Sequence, residues 1–418
     1  MTHVTLNQPP ALHKETLLEE ERQQLLNVRS SGSYEDPRSS INLPYDEELH
    51  TTSVELSKEF LDAAAVVVIG IGGSNLGTIA VHEAINGLYA NELRTPKAYF
   101  ADTIDSNDLQ ALTKQLDKHY ANNERVVLVG ISKSGGTTET IANLQLLVEH
   151  KKRHVDNWTN DVVIITGKDS KLDGYAKKHH VRTAYIPSGV GGRYSVLSPV
   201  GIIPLAILGI DTQKLLVGAR KALKESLGEL ASSPAAQRAS NRHEQLTQEK
   251  DVHELFVFSK QLRSVGAWTR QLLAESLGKD GRGFTPTTAV GSTDLHSVAQ
   301  LRLAGKNHAH TTFLTVQETA RLELPGDEDF SGLVEDLQEK PLADVLTAIA
   351  DATKHAYKQA GRSYDEIVLE EINEESIGYV LQLLMLETMY LAAQLEINAY
   401  NQPAVEKYKN KTRELLQE

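Results

Sequence analysis

Val126-Val127-Leu128-Val129-Gly130-Ile131-Ser132-Lys133-Ser134-Gly135-Gly136-Thr137-Thr138-Glu139-Thr140 is the stretch from which the fold is read. Its apolar, β-branched start predicts a buried strand, and its end predicts a glycine-marked turn into a helix. Free N–H groups and the positive end of a helix dipole favour an anion at such a junction. Hydroxyls at 132, 134, 137 and 138 flank two glycines and a lysine, with no acid before Glu139. A phosphate carrying about −2 charge takes several donors at once, so the expected ligand is a phosphorylated small molecule. Lys133 does not stand in a Gly-Lys-Thr order, so the turn is not an ATPase-type loop.

A second junction lies upstream, at Val66-Val67-Val68-Ile69-Gly70-Ile71-Gly72-Gly73-Ser74. It begins like a dinucleotide fingerprint, but Asn75 stands where the third Gly or Ala belongs. Read as a polar-ligand cradle, it offers backbone donors and Ser74. Strands are expected at Ala65–Ile69, Lys97–Phe100, Val126–Val129, Val162–Thr166 and Thr183–Ile186, with helices between them such as Gly77–Asn86, Asp108–Lys118 and Thr138–His150. That rhythm predicts an α/β fold with a parallel sheet flanked by helices and ligands at the carboxyl ends of its strands. Leu255-Phe256-Val257-Phe258 opens a second α/β block that runs through Thr311–Val316 to a long apolar helix, Ile377–Leu395. Residues 11–30 read as a surface helix, 30–44 as a loop, 212–250 as a charged helical connection and 404–417 as an amphipathic helix.

The 418 residues exceed one simple core, so two subdomains are the default. A net charge of −13 argues against nucleic-acid binding. Cysteine is absent, which removes disulfides, thiolate nucleophiles and thiolate metal sites. No uninterrupted apolar run reaches the roughly 20 residues of a membrane span, and no signal-peptide pattern opens the chain, so no membrane partner and a cytoplasmic location are expected.

Three further segments carry chemistry. Gly189-Val190-Gly191-Gly192-Arg193-Tyr194-Ser195 places Arg193 on a glycine-rich loop, suited to stabilising an anion. In Gln271-Leu272-Leu273-Ala274-Glu275-Ser276-Leu277-Gly278-Lys279, Gln271 and Glu275 lie four apart on one helix face. Glu275, beside an apolar layer, is a candidate general base. Gly291-Ser292-Thr293-Asp294-Leu295-His296 sets a histidine after a glycine-marked turn. His179-His180 and His308/His310 read as surface residues without metal-site support.

In this order the segments Gly70–Ser74, Ser132–Thr140, Gly191–Ser195, Gln271–Lys279, Gly291–Gln300 and Asn398–Lys409 resemble the glucose-6-phosphate isomerase family, in its shorter bacterial form. The resemblance spans residues 70–409. Gly-Gly-Arg-Tyr-Ser, Glu-Ser-x-Gly-Lys and the run Gln402-Pro403-Ala404-Val405-Glu406-Lys407-Tyr408-Lys409 are its most specific motifs. It implies two sugar-isomerase (SIS) subdomains, each a parallel sheet flanked by helices in three α-β-α layers. The expected division is an arm 1–53, a first subdomain 54–211, a helical connection 212–250, a second subdomain 251–400 and a C-terminal helix 401–418.

The resemblance further implies interconversion of glucose 6-phosphate and fructose 6-phosphate with no metal and no cofactor. By match, Ser132, Lys133, Ser134 and Thr137 hold the phosphate, and Gly73, Ser74, Gln271 and Gln402 touch the sugar. Glu275 is the base moving a proton between C1 and C2, Arg193 stabilises the cis-enediolate, and His296 and Lys409 assist ring opening. The family's histidine comes from the neighbouring subunit, which implies a homodimer with a shared site. Ahead of Gln402, Ala399-Tyr400-Asn401 stands where Pro-Phe-Asp is common. The alternatives are an isomerase that also turns over mannose 6-phosphate, a non-catalytic sugar-phosphate sensor on the same fold, and a nicotinamide enzyme using the Gly70 turn.

Overall fold

The computed structural model describes residues 2–6 and 12–417. In chain order its strands are β1 His3–Leu6, β2 Ala65–Ile69, β3 Lys97–Ala101, β4 Val126–Ser132, β5 Val162–Thr166, β6 Arg182–Tyr185, β7 Val252–Val257, β8 Thr285–Val290, β9 Ala309–Glu318 and β10 Ser363–Glu371. The first sheet has the order β3-β2-β4-β5-β6 and is parallel throughout. Every residue of β2, β4 and β5 is buried. Helices cover both faces, so these strands read as continuous apolar runs instead of alternating ones.

From β2 the chain moves to β3 on one side, and from β4 to β5 on the other. A crevice therefore opens between the carboxyl ends of β2 and β4, the position where open α/β sheets bind ligands. Ile69 pairs with Gly130 in register, which sets the Gly70–Ser74 turn beside the Ser132–Thr137 turn.

The second sheet has the order β1-β10-β9-β7-β8, parallel except for antiparallel β1 at its edge. Residues 1–53 were expected as a helical and loop arm, and β1 within them pairs with β10 at the edge of the second sheet. The helix expected over 11–30 is Glu15–Ser31, with Leu18, Leu25 and Val28 buried; residue 11 lies outside the described residues. Within the 30–44 segment, a short 3-10 helix begins at Ser39 and buries Ile41 and Leu43.

Apolar side chains form three layers of core. The largest joins the facing sides of both sheets, from Val66 and Val129 to Leu255 and Leu314. A second lies under the outer helices Ser106–Ala121, Thr138–Lys152 and Lys171–His179, and a third under Leu342–Gln359. Glu374–Gln394, the expected long apolar helix, is long and apolar enough to cross a membrane, yet it is almost wholly buried in the central layer.

The 212–250 region is more than a connection. Its helices Thr212–Ser226 and Pro234–Thr247 bury their apolar faces in the same layer. Backbones touch where Gly218 meets Glu374–Gln394: a Cβ on Gly218 would fall 1.8 Å from Glu375 O, and one on Gly378 1.9 Å from Leu215 O. Beneath lies a buried ionic network. Arg238 is 3.2 Å from Asp365 and 2.7 Å from Glu387, Arg242 also meets Glu387, and His310 lies 3.3 Å from Asp365. His310, read as a surface residue, is buried there, because it sits on β9 between the sheet and these helices.

Candidate active site

Three glycine-rich segments and one helix meet at the crevice. Gly73 sits against the Gly191–Ser195 loop so closely that a Cβ on it would fall 2.2 Å from Gly192 C and 2.5 Å from Arg193 N. Only a residue without a side chain permits that approach. Ser195 Oγ fastens the pair by donating to Gly192 O at 2.7 Å and Gly73 O at 3.3 Å. Gly72, at φ 60°, turns its open side to Gln271, whose Nε2 would lie 2.8 Å from a Cβ there. Ser74 is half-buried on the same turn.

Arg193 is 3% exposed and is held on every side. Nε donates to Ser276 Oγ at 2.7 Å, and Nη2 donates to Ala399 O at 2.5 Å and Asn401 O at 3.2 Å. Nη1 donates to Gln402 Oε1 at 3.1 Å and stands 3.1 Å from Glu275 Oε1. Backbone carbonyls at 399 and 401 do the holding, so this contact does not require the common Pro-Phe-Asp side chains.

The other oxygen of Glu275 accepts from Gln271 Nε2 at 3.0 Å, along one face of the Arg263–Leu277 helix. Gln271 Oε1 is buried and has no partner among the described residues. An orphaned acceptor of this kind is costly unless something donates to it.

The Ser132–Thr137 turn is also pre-built. Thr137 is the N-cap of Thr138–Lys152, but its side chain does not cap the helix. Its Oγ1 turns to Ser132 Oγ at 3.0 Å and Ser134 Oγ at 3.5 Å, clustering three hydroxyls beside uncapped N–H groups. The strand behind braces the turn: Thr166 Oγ1 donates to Ser132 O at 2.6 Å, and Gly167 N to Lys133 O at 3.0 Å.

Lys133 points away from the hydroxyls. Its Nζ donates to Ser188 O at 2.6 Å and Val190 O at 2.8 Å, tying the turn to the loop that carries Arg193. Burial holds its pKa below the usual lysine value.

Arg193, Glu275, Gln271, Gln402 and Gly73 are thus brought together, and the 132–137 turn lies across the crevice from them. His296 and Lys409 are not joined to them. His296 is exposed on a short 3-10 helix and makes no hydrogen bond or ion pair among the described residues. Lys409 pairs with Glu406 at 3.0 Å on the Val405–Leu415 helix, which has no buried residue.

Two residues of the site were not singled out in the sequence. Ser276 accepts from Arg193 and meets Tyr194 OH at 3.0 Å, so it orients the guanidinium. Lys279 Nζ donates to Ser276 O at 2.9 Å and also to Asn398 O. Burial, with Arg193 adding and Glu275 opposing, brings its pKa down to about 8. Their only signal was membership of the Glu-Ser-x-Gly-Lys run.

A sequence model of the family described as phosphoglucose isomerase matches residues 55–324. A glucose-6-phosphate isomerase of Thermus thermophilus is 33% identical over 98% of this chain and 97% of its own length. A probable glucose-6-phosphate isomerase of Haloarcula marismortui is 35% identical over 85% of this chain and 78% of its own. The solved structure of a hypothetical protein from Thermus thermophilus superposes with a TM-score of 0.89 at 31% identity, covering 100% of both chains.

Proposed function

The chain belongs to the phosphoglucose isomerase family, and we propose that Glu275 and Arg193 carry out its proton transfer. The activity is the aldose–ketose isomerisation of glucose 6-phosphate and fructose 6-phosphate. The observation that carries the assignment is the Glu275 carboxylate, 3.1 Å from the buried Arg193 guanidinium and fixed from its other side by Gln271.

The phosphate is anchored by the hydroxyls of Ser132, Ser134 and Thr137 and by the free N–H groups of that turn. Lys133 contributes indirectly, holding the 188–190 loop against the anchor. Anchoring a remote group orients the reacting carbons, so binding energy is used for positioning. Gly73 and Ser74 wall the sugar, Gln402 contacts it, and Gln271 Oε1 accepts from one of its hydroxyls.

After ring opening, Glu275 takes the C2 proton of the aldose and returns it to C1, while a hydroxyl proton passes from O2 to O1. The electron pair left behind forms the enediolate, whose oxygen Arg193 stabilises. A positioned base is worth roughly 10²–10⁴-fold, and a pre-oriented cation often more.

His296 and Lys409 serve ring opening in a homodimer whose sites are shared. Support comes from His296, exposed and unpaired among the described residues, and from the Val405–Leu415 helix, none of whose residues is fully buried.

A substrate panel in deuterated water tests this reading. Interconversion of the two sugar phosphates with deuterium entering C2 is expected. A complete lack of exchange, with turnover intact, would indicate hydride shift and remove the base assignment. Mannose 6-phosphate belongs in the panel, because C2 epimers share one enediol and its turnover would make the enzyme dual.

A further inference from the structure

We propose that Asp117, His150 and His154 form a binding site for a late first-row divalent cation of the zinc class. The three residues come from two outer helices of the first sheet: Asp117 from Ser106–Ala121, His150 from Thr138–Lys152, and His154 just past the end of the latter. Asp117 Oδ1 lies 3.0 Å from His150 Nε2 and 3.2 Å from His154 Nε2, and all three ligand atoms fall within 4.8 Å of one another. Two ligands at about 2.1 Å from a zinc ion, at angles between octahedral and tetrahedral, stand about 3.0–3.4 Å apart. The contacts of Asp117 Oδ1 with His150 and His154 fall in that window.

The chemistry of the set is selective. Two imidazoles and one carboxylate suit zinc, nickel, cobalt or copper, whereas magnesium and calcium take oxygen ligands. Both histidines present Nε2, leaving each Nδ1 for outer partners.

A plain ion pair accounts less well for the arrangement. His150 Nε2 is buried and makes no directed hydrogen bond, although the carboxylate is 3.0 Å away. Tyr120 stacks on His154 with ring centroids 4.6 Å apart and planes 12° apart, which fixes that ring's orientation. The remaining coordination positions face solvent, since Asp117 is 49% exposed and His154 32%.

This site lies at the far end of the helix whose first turn forms the phosphate anchor. From Thr138 to His150 is about 18 Å at 1.5 Å per residue. A cation there would join the two helices without touching the sugar, so its effect is on stability. An ion that binds only the folded chain raises its melting temperature.

The test uses the full chain, stripped with a chelator, desalted and titrated with zinc chloride by calorimetry. With no cysteine among the 418 residues, thiolates do not compete. One saturable equivalent per chain is expected, with a dissociation constant below about 100 µM and a rise in melting temperature of about 2–4 °C at saturation. Cobalt should give visible absorption bands from the same site. Asp117→Asn and His154→Gln should each weaken binding about 10-fold or more, while isomerase activity and the zinc-free melting temperature stay as in the parent. If both variants bind zinc as the parent does, other surface histidines hold it and the proposal fails. A titration with no saturable site overturns it equally. Should His150→Gln fail to fold, the two exposed positions still decide the matter.

Discussion

Arg193 Nη1 stands 3.1 Å from Glu275 Oε1, so the proposed base and the cation proposed to stabilise the charge it generates are paired in the structure. Arg193 keeps four other acceptors, at Ser276, Ala399, Asn401 and Gln402, so it stays in place when the carboxylate turns to a C–H bond. Glu275→Gln is nearly isosteric and leaves these bonds intact. We expect kcat to fall by about 10²–10⁴-fold, with fructose 6-phosphate still raising the melting temperature. Normal kcat in that variant would remove Glu275 from the chemistry.

If two subunits share their sites as proposed, mixed dimers of two inactive variants should recover activity. Glu275→Gln and His296→Ala should each be nearly inactive alone. Co-refolded or subunit-exchanged, they should regain activity, because a mixed dimer contains one site with both native residues. Failure of the mixture to exceed the sum of its components, with dimers demonstrated by ultracentrifugation, would place His296 in the site of its own chain or outside catalysis.

Gly73→Ala tests the contact between the glycine turns. Its Cβ would lie 2.2 Å from Gly192 C, against backbone that cannot swing aside. The turn bearing Arg193 must move, and a displacement of about 1 Å at a reacting group can cost 10²-fold. Gly174→Ala is the comparison: nothing lies within 4 Å of that position, which sits inside the Lys171–His179 helix. It should keep full activity and gain a little stability, because Ala is the better helix former. Equal activity in both variants would show that the turn contact does not position Arg193.

What could be read from sequence had a local physical cause. β2, β4 and β5 are buried on both faces, so their apolar runs stand out, and the turns after β2 and β4 announce themselves through glycine and hydroxyl residues. β8 and β10 were not legible, because Thr285-Pro286-Thr287-Thr288 and Asp365-Glu366 look like loop until their neighbours are known. Asp365 is polar in a strand because Arg238 waits for it across the layer. β1 pairs with Asp365–Val368, far along the chain, and no local pattern encodes such a partner. Within the site, residue types were legible and directions were not: Lys133 belongs to the Ser132–Thr137 turn, but its ammonium donates to Ser188 O and Val190 O.

That direction is itself testable. Lys133→Met keeps the aliphatic stem and removes the donors to Ser188 O and Val190 O. If Lys133 acts as a brace, the loop ahead of Arg193 loosens, so kcat falls along with phosphate affinity and limited proteolysis cuts first near 188–190. A direct phosphate contact would instead raise KM with kcat kept and the loop protected. Burial lowers this lysine's pKa, so its ammonium depends on those two carbonyls for compensation.

His82 sets a pH dependence of stability. It is buried on the Leu76–Asn86 helix, and its Nδ1 lies 3.2 Å from Asn86 Nδ2, the geometry of a neutral ring accepting from the amide. Burial pushes its pKa down to about 4, with Glu83 opposing and Arg94 adding. Above the ordinary histidine value of about 6.5, neither state binds the proton and this residue adds no slope. Between 6.5 and about 4 the unfolded chain takes up a proton that the folded chain refuses, so stability falls as the pH drops through that window. Below it both states are protonated and the loss levels off, at about 3 kcal/mol if the full shift is expressed. Urea midpoints at pH 7 and pH 4.5 should therefore separate more for the parent than for His82→Gln. Equal separation in the two proteins would mean that other groups carry the acid sensitivity.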